Sequence, residues 1–350
     1  MGVDDRYWDP IEQVEAERVL GPDVRVTARH RRWLFAVSRC ETPDGVVYLK
    51  RQPAMGRDIA QVEWQHRVAA HVADRGVPAT RPLGLLDRGK LWYELWEPAA
   101  GADTYTDTDT WEPFRSIAHV EAAGGMLARF HRAGADFAPL RPQPQAGFVV
   151  QLGRLDAPPS EVVRELADAR PAVADYLGDR DLTPVGAAYG ELFERLAPVA
   201  ADLPIAPLHG DWQTNNLFFS GDEVSGIIDF HQTDCGPRLL DLAVAIERNC
   251  FFWNRISDGD AAYNLTHARH LVAAYHRVEP LTEAERGSLV DMVAICQFQY
   301  GISFLDYYWG IEADRPKADW AWDTFVLGHA QWWQSAAGRA ARAALAAVVP

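Results

Sequence analysis

Apolar residues change period along this chain, and the changes divide it into elements. Within WDPIEQVEAERVL (8–20) they recur at Ile11, Val14 and Val19/Leu20, which predicts a short amphipathic helix with Pro10 at its start. VRVTA (24–28) alternates, RHRRW breaks the pattern, LFAVSRC (34–40) resumes it, TPDG (42–45) has turn chemistry, and VVYLKRQ (46–52) alternates again. An antiparallel meander is the prediction, with a basic middle loop carrying Arg29, Arg31 and Arg32. From Asp58 to Arg75 the period is helical: Ile59, Val62, Val68, Ala69 and Val72 form one stripe, and Gly76 ends it. A strand, LWYELW (91–96), then leads into EPAAG (97–101), a Pro/Gly connector that reads as a hinge.

Beyond the connector the pattern is mostly helical. SIAHVEAAGGMLARFHRAG (116–134) is one helix, a Pro-rich loop follows at 138–148, and a second tract runs from Ser160 to Leu196 with a break near Gly178–Pro184. A strand–loop–strand unit, PLHGDWQTNNLFFSGDEVSGIIDF (207–230), interrupts the helices, which then continue to an Ala-rich tail. There is no internal repeat. The element order predicts an α+β, two-lobed molecule: a small antiparallel β lobe with one main helix (1–97), a hinge (98–101) and a larger helical lobe (102–350) carrying an inserted hairpin.

Charge sharpens that division. The 350 residues carry 34 Lys+Arg against 49 Asp+Glu, a formal charge of −15, yet residues 1–101 are balanced and the whole excess lies in 102–350. An acidic chain argues against a general nucleic-acid binder or an anionic membrane surface as partner. The cysteines Cys40, Cys235, Cys250 and Cys296 show neither disulfide-framework nor zinc spacing, so a reducing cytoplasm is expected. MGVDDRYWDP lacks the apolar core of a signal peptide, and no apolar run is expected to approach the ~18 residues a membrane span needs.

The chemistry concentrates in 207–243. His209-Gly210-Asp211-Trp212-Gln213-Thr214-Asn215-Asn216 reads H-G-D-x-x-x-x-N, and Asp229 follows in IIDF after a hairpin-length interval. A hairpin brings its outer ends together, so the Asn216 amide oxygen and the Asp229 carboxylate can share one site as hard ligands suited to Mg²⁺. Asp211 lies beside them, where a carboxylate can orient a hydroxyl and take its proton as it attacks phosphorus. Asp229 within an apolar run needs a metal or a partner, because an isolated buried carboxylate is costly. A rival reading gathers His209, Asp211, Asp229 and His231 into a hydrolase metal cluster, but leaves Asn216 and the lobe order unexplained.

This pattern resembles the aminoglycoside phosphotransferase family, small-molecule kinases with a protein-kinase-like fold; the later Asp241-Leu242-Ala243 is similar to the family's D-L-A. The resemblance implies O-phosphorylation of a small molecule by ATP or GTP with Mg²⁺. It implies Asp211 as catalytic residue and Asn216 and Asp229 as metal ligands, with His209 and Asp241 structural at the site. It also implies Lys50, in the third strand, as the phosphate-binding lysine held by Glu63 on the next helix, and a purine lying against the connector from Glu97 to Ala100, with Glu97 and Ala99 as its contacts. The family often has Gly or Ser between the first two strands. Here His30-Arg31-Arg32-Trp33 stands there, and Arg31 and Arg32 are candidate phosphate contacts.

The acceptor site is expected in the helical lobe after Asp241, with Glu247, Trp253, Asp258, Asp260, Tyr300, Asp306, Tyr307, Tyr308, Trp309 and Glu312 as candidates. Carboxylates there can hold ammonium groups and aromatic faces can stack on rings or cations. The negative excess favours an aminoglycoside or other amino sugar. Neutral sugars, choline and homoserine are alternatives, and a catalytically silent nucleotide-binding module is an alternative of another class.

Overall fold

Alternation in the first hundred residues becomes one twisted sheet. The computed structural model describes residues 9–31, 35–54, 59–106, 111–138, 157–253 and 262–350. Helix α1 (Gln13–Leu20) precedes five antiparallel strands, β1 (Arg25–Arg31), β2 (Ala36–Thr42), β3 (Gly45–Pro53), β4 (Pro82–Asp87) and β5 (Leu91–Trp96), in the order β1-β2-β3-β5-β4. Helix α2 (Ile59–Asp74) connects β3 to β4. The period-2 rule sorts the two cations of β3 onto opposite faces. Arg51 turns to α1, where it donates to the Glu15 carboxylate at 2.6 and 2.8 Å, beside a core of Ile11, Ala16, Leu49 and Tyr93. Lys50 therefore faces the other way.

One expectation changes here. Arg29 and Arg31 lie within β1, paired with Ser38 and Ala36, so they are strand residues and not a loop; Arg32 lies outside the described residues. The strand β4 carries no recognisable alternation because Pro82 and Gly84 flank a register shift against β5.

The helical part is built from α3 (Ile117–Gly134), α4 (Pro159–Asp168), α5 (Pro171–Leu177), α6 (Thr183–Leu196), α7 (Leu239–Cys250), α8 (Leu265–Val278), α9 (Glu283–Ile295), α10 (Gln297–Gly310), α11 (Arg315–Ala321), α12 (His329–Gln334) and α13 (Ala336–Ala346). The Pro-rich loop at 138–148 falls largely outside the described residues. The stretch Glu283–Gly310, through α9 and α10, is long and apolar enough to cross a membrane by length and composition, contrary to expectation. Its most apolar window is 82% buried inside the protein, as a core helix requires.

The inserted unit is two ribbons, not one. An outer ribbon pairs β6 (Ile205–Leu208) with β9 (Asp234–Pro237), and an inner hairpin pairs β7 (Leu217–Ser220) with β8 (Glu223–Ile227). The hairpin also sews the two lobes together. Ile227 N–H donates to Pro78 C=O and Thr80 N–H to Ile227 C=O, while Ala102 and Phe219 exchange both backbone bonds. A Cβ at Gly101 would stand 2.7 Å from Phe219 C=O, so only glycine lets the connector pass this closely.

Candidate active site

The loop from His209 to Asn216 is held from below by one carboxylate. Asp241, in the first turn of α7, is buried and accepts from His209 N–H at 2.6 Å and Gly210 N–H at 2.8 Å. His131 Nε2 donates to the same carboxylate at 3.1 Å, and Tyr275 OH donates to His131 Nδ1 at 2.7 Å. The His209 ring braces the loop from within: Nε2 donates to Ile228 C=O at 3.0 Å and Nδ1 accepts from Asp211 N–H at 3.3 Å. Gly210 has φ +81, and a Cβ there would lie 2.2 Å from Gln232 C=O, so the loop admits only glycine.

This bracing fixes Asp211. Its Oδ2 accepts from Gln213 Nε2 at 2.8 Å and from Asn216 Nδ2 at 3.0 Å. Burial pushes its carboxyl above the ordinary range; Asp229 adds to the rise and Arg248 opposes it. Ile228 N–H bonds Asn216 C=O at 3.0 Å, which closes the hairpin and sets Asp229 beside Asn216. Asp229 is left-handed (φ 62, ψ 67), a conformation Asp tolerates better than most residues and one that turns its side chain out of the apolar run. Both Nδ2 bonds of Asn216 go to Asp211, one to its backbone and one to its carboxylate, which leaves the amide oxygen for a cation. A carboxylate and an amide oxygen, one of them 23% exposed, fit Mg²⁺, which takes one or two protein oxygens and completes its shell with phosphates and water.

Lys50 reaches the same place from the sheet. Its Nζ lies 3.1 Å from Asp229 Oδ1, 3.9 Å from Glu94 Oε1 and 4.0 Å above the Phe35 ring. The structure does not bring Glu63 to it. The buried face of α2 is Gln61, Val62, Trp64, Gln65, Val68, Ala69 and Val72, and this phase turns Glu63 to solvent. Glu94 is the carboxylate opposite Lys50 in the β3–β5 register. It is buried and accepts from Gln52 Nε2 at 2.6 Å, His66 Nε2 at 2.7 Å and Trp96 Nε1 at 3.2 Å. Helix α2 thus contacts this cluster through His66, and through Gln65, which donates to His231 C=O and Thr233 C=O, both at 2.9 Å. In the connector, Glu97 N–H donates to Arg81 C=O, and Glu97 and Ala99 are half-buried.

The acceptor-side candidates divide into two groups. Glu247 is fully buried on α7: Oε1 accepts from Trp111 Nε1 at 3.3 Å and from Trp253 Nε1, and Oε2 from Gln297 Nε2 at 2.7 Å. Burial raises its carboxyl, against Arg248 and these donors. It supports the site from beneath and offers a ligand no open oxygen. Trp253 stacks on His329 at 3.7 Å. Tyr300 lies under the next residue, Arg248, whose guanidinium is 4.3 Å from its ring centre. Further along α10, Asp306 is raised by burial and offset by Arg170, Tyr307 and Tyr308 are buried, Trp309 donates to Asp175 at 2.7 Å, and Glu312 pairs with Lys317 at 2.8 Å. Asp258 and Asp260 lie outside the described residues. Sequence reasoning missed Glu94, Arg248 and Trp111. The rival hydrolase cluster does not form: among the described residues no three His, Cys, Asp or Glu side chains converge to hold a metal.

Residues 25–281 match the APH family, described as the phosphotransferase enzyme family. Homoserine kinase of Rhodospirillum rubrum is 31% identical over 220 residues, covering 63% of this chain and 61% of that protein, so the match spans about three-fifths of the relative's length. An amicoumacin kinase solved with AMP-PNP and Ca²⁺ is similar in structure, with TM-score 0.56 and 15% identity over 93% of this chain and 87% of that one. An aminoglycoside-3'-phosphotransferase of type VIII gives TM-score 0.51 and 17% identity over 81% of this chain and 97% of that one. At such identities these structures establish the fold, a two-lobed protein-kinase-like architecture.

Proposed function

This chain belongs to the APH phosphotransferase enzyme family, and we propose from that premise that it moves the terminal phosphoryl group of ATP or GTP onto a hydroxyl of a small molecule. The observation that carries the reading is convergence: Lys50, from the sheet, meets Asp229 at 3.1 Å, and Asn216 meets Asp211 at 3.0 Å. Asn216 and Asp229 would hold Mg²⁺. The ion, when bound, neutralises phosphate charge. Lys50, flanked by Glu94, takes the role of binding the inner phosphates. Asp211 orients the acceptor hydroxyl and receives its proton. In the connector the Glu97 N–H is already used and Pro98 has none, so Ala99 N–H is the first amide able to donate to a base.

The acceptor we favour is an aminoglycoside or other amino sugar, because the negative excess lies wholly in residues 102–350. Homoserine is the second reading, favoured by the activity named for a relative at 31% identity. The test incubates the protein with Mg²⁺, ATP or GTP, and gentamicin, streptomycin, L-homoserine or choline, and follows nucleoside diphosphate release. Acceptor-dependent release supports the kinase. Nucleotide binding with no transfer to any acceptor points instead to a silent module.

A further inference from the structure

Helix α7 is buried along its whole length, yet it carries Glu247 and Arg248 side by side. A buried guanidinium is costly unless it is compensated, so its surroundings report its purpose. Arg248 lies between two aromatic rings, Tyr300 at 4.3 Å and Trp111 at 5.4 Å. Glu247 Oε2 is 3.8 Å from its Nε, and Asp211 Oδ1 is 3.7 Å from the same nitrogen. The side chains of Arg248 and Asp211 are 2% and 8% exposed. Arg248 Nε and Asp211 Oδ1 are both buried without a hydrogen-bond partner among the described residues, so the charge pair is the interaction they share.

The two oxygens of Asp211 are therefore treated differently. Gln213 and Asn216 hold Oδ2, on the side of the metal-ligand candidates. Oδ1 is given to Arg248, beneath the loop. We infer that Arg248 is a positioning residue for Asp211: from behind the catalytic loop it fixes which carboxylate oxygen faces the acceptor, and it touches neither nucleotide nor acceptor itself. The rings of Trp111 and Tyr300 and the saturated Glu247 hold the planar guanidinium in place, which a lysine could not reproduce. This inference rests on the kinase reading above.

A double-mutant cycle tests it. Arg248→Met and Arg248→Lys are made alone and with Asp211→Asn. Rates are measured with MgATP and the gentamicin, streptomycin, L-homoserine and choline panel, and with water as the only acceptor. Misorienting a catalytic group costs about 100-fold, so Arg248→Met should lower kcat by that order and change the KM for ATP less than about threefold. Arg248→Lys keeps the charge and should recover part of the loss. In the Asp211→Asn background, Arg248→Met should change the residual rate by less than about twofold, because a residue acting through Asp211 has nothing left to act on. If Arg248→Met does not fold, Arg248→Lys carries the cycle. A loss that multiplies with Asp211→Asn, a loss confined to KM, or a full kcat in Arg248→Met overturns the inference while leaving the kinase reading intact. A wild-type protein that makes no ADP under any condition overturns both.

Discussion

Lys50 and Arg248 each face a carboxylate of the proposed site, Asp229 and Asp211, and the two surroundings are built to different ends. Lys50 stands on a strand, on a flexible stem, against Asp229, whose side chain is 23% exposed. Arg248 stands on a helix buried throughout, between two aromatic rings, against a carboxylate 8% exposed. The first pair can open, because a phosphate can replace Asp229 as the lysine's partner while Glu94 keeps the ammonium compensated. The second pair cannot open without exposing both charges to an apolar interior. An ammonium, compact and mobile, suits the exchanging side, and a planar guanidinium suits the fixed one. On the proposed function, the site thus has a compliant wall toward the nucleotide and a rigid floor under the loop from His209 to Asn216.

The contrast can be broken at several points. Asp211→Asn should have the largest effect, lowering kcat by about 10³-fold or more with little change in nucleotide affinity, measured by steady-state kinetics and by nucleotide titration. Asn216→Ala and Asp229→Ala should follow, each raising the Mg²⁺ concentration needed for half-maximal rate by about tenfold or more; an unchanged Mg²⁺ dependence would remove them from the metal site. On the compliant wall, Glu94→Gln should weaken nucleotide binding by roughly tenfold, an ion-pair loss of about 1.4 kcal/mol, whereas Glu63→Gln should stay within about twofold. The reverse ranking would reinstate Glu63 as the partner of Lys50. Gly210→Ala, which forces a Cβ onto Gln232 C=O, should cost about 1–3 kcal/mol in denaturant unfolding.

What could be read from the sequence depended on how local each feature is. The loop from His209 to Asn216, the hairpin and Asp229 are contiguous, so spacing alone places them on common elements. Glu94 was hidden because its role arises from strand register: only the β3–β5 pairing sets it opposite Lys50, and β4, which completes that sheet, has Pro82 and Gly84 where alternation would show. Glu63 failed as a lysine partner for a related reason. Its stripe was legible, but the phase that buries Val62 and Gln65 turns residue 63 outward. Arg248 did leave a signal. In DLAVAIERNC there is no polar face for Glu247 and Arg248 to occupy, so both had to be buried together.

The central claim is that Asp211 serves phosphoryl transfer to a bound hydroxyl. Phosphorus NMR of the reaction with MgATP and each panel acceptor, run side by side for the wild type and Asp211→Asn, tests it most directly. The account predicts a new phosphate-ester signal with one of the acceptors, growing with ADP, and its absence over the same interval in Asp211→Asn. An ester signal that forms equally fast in Asp211→Asn, or a wild type that yields none with any acceptor, would contradict it.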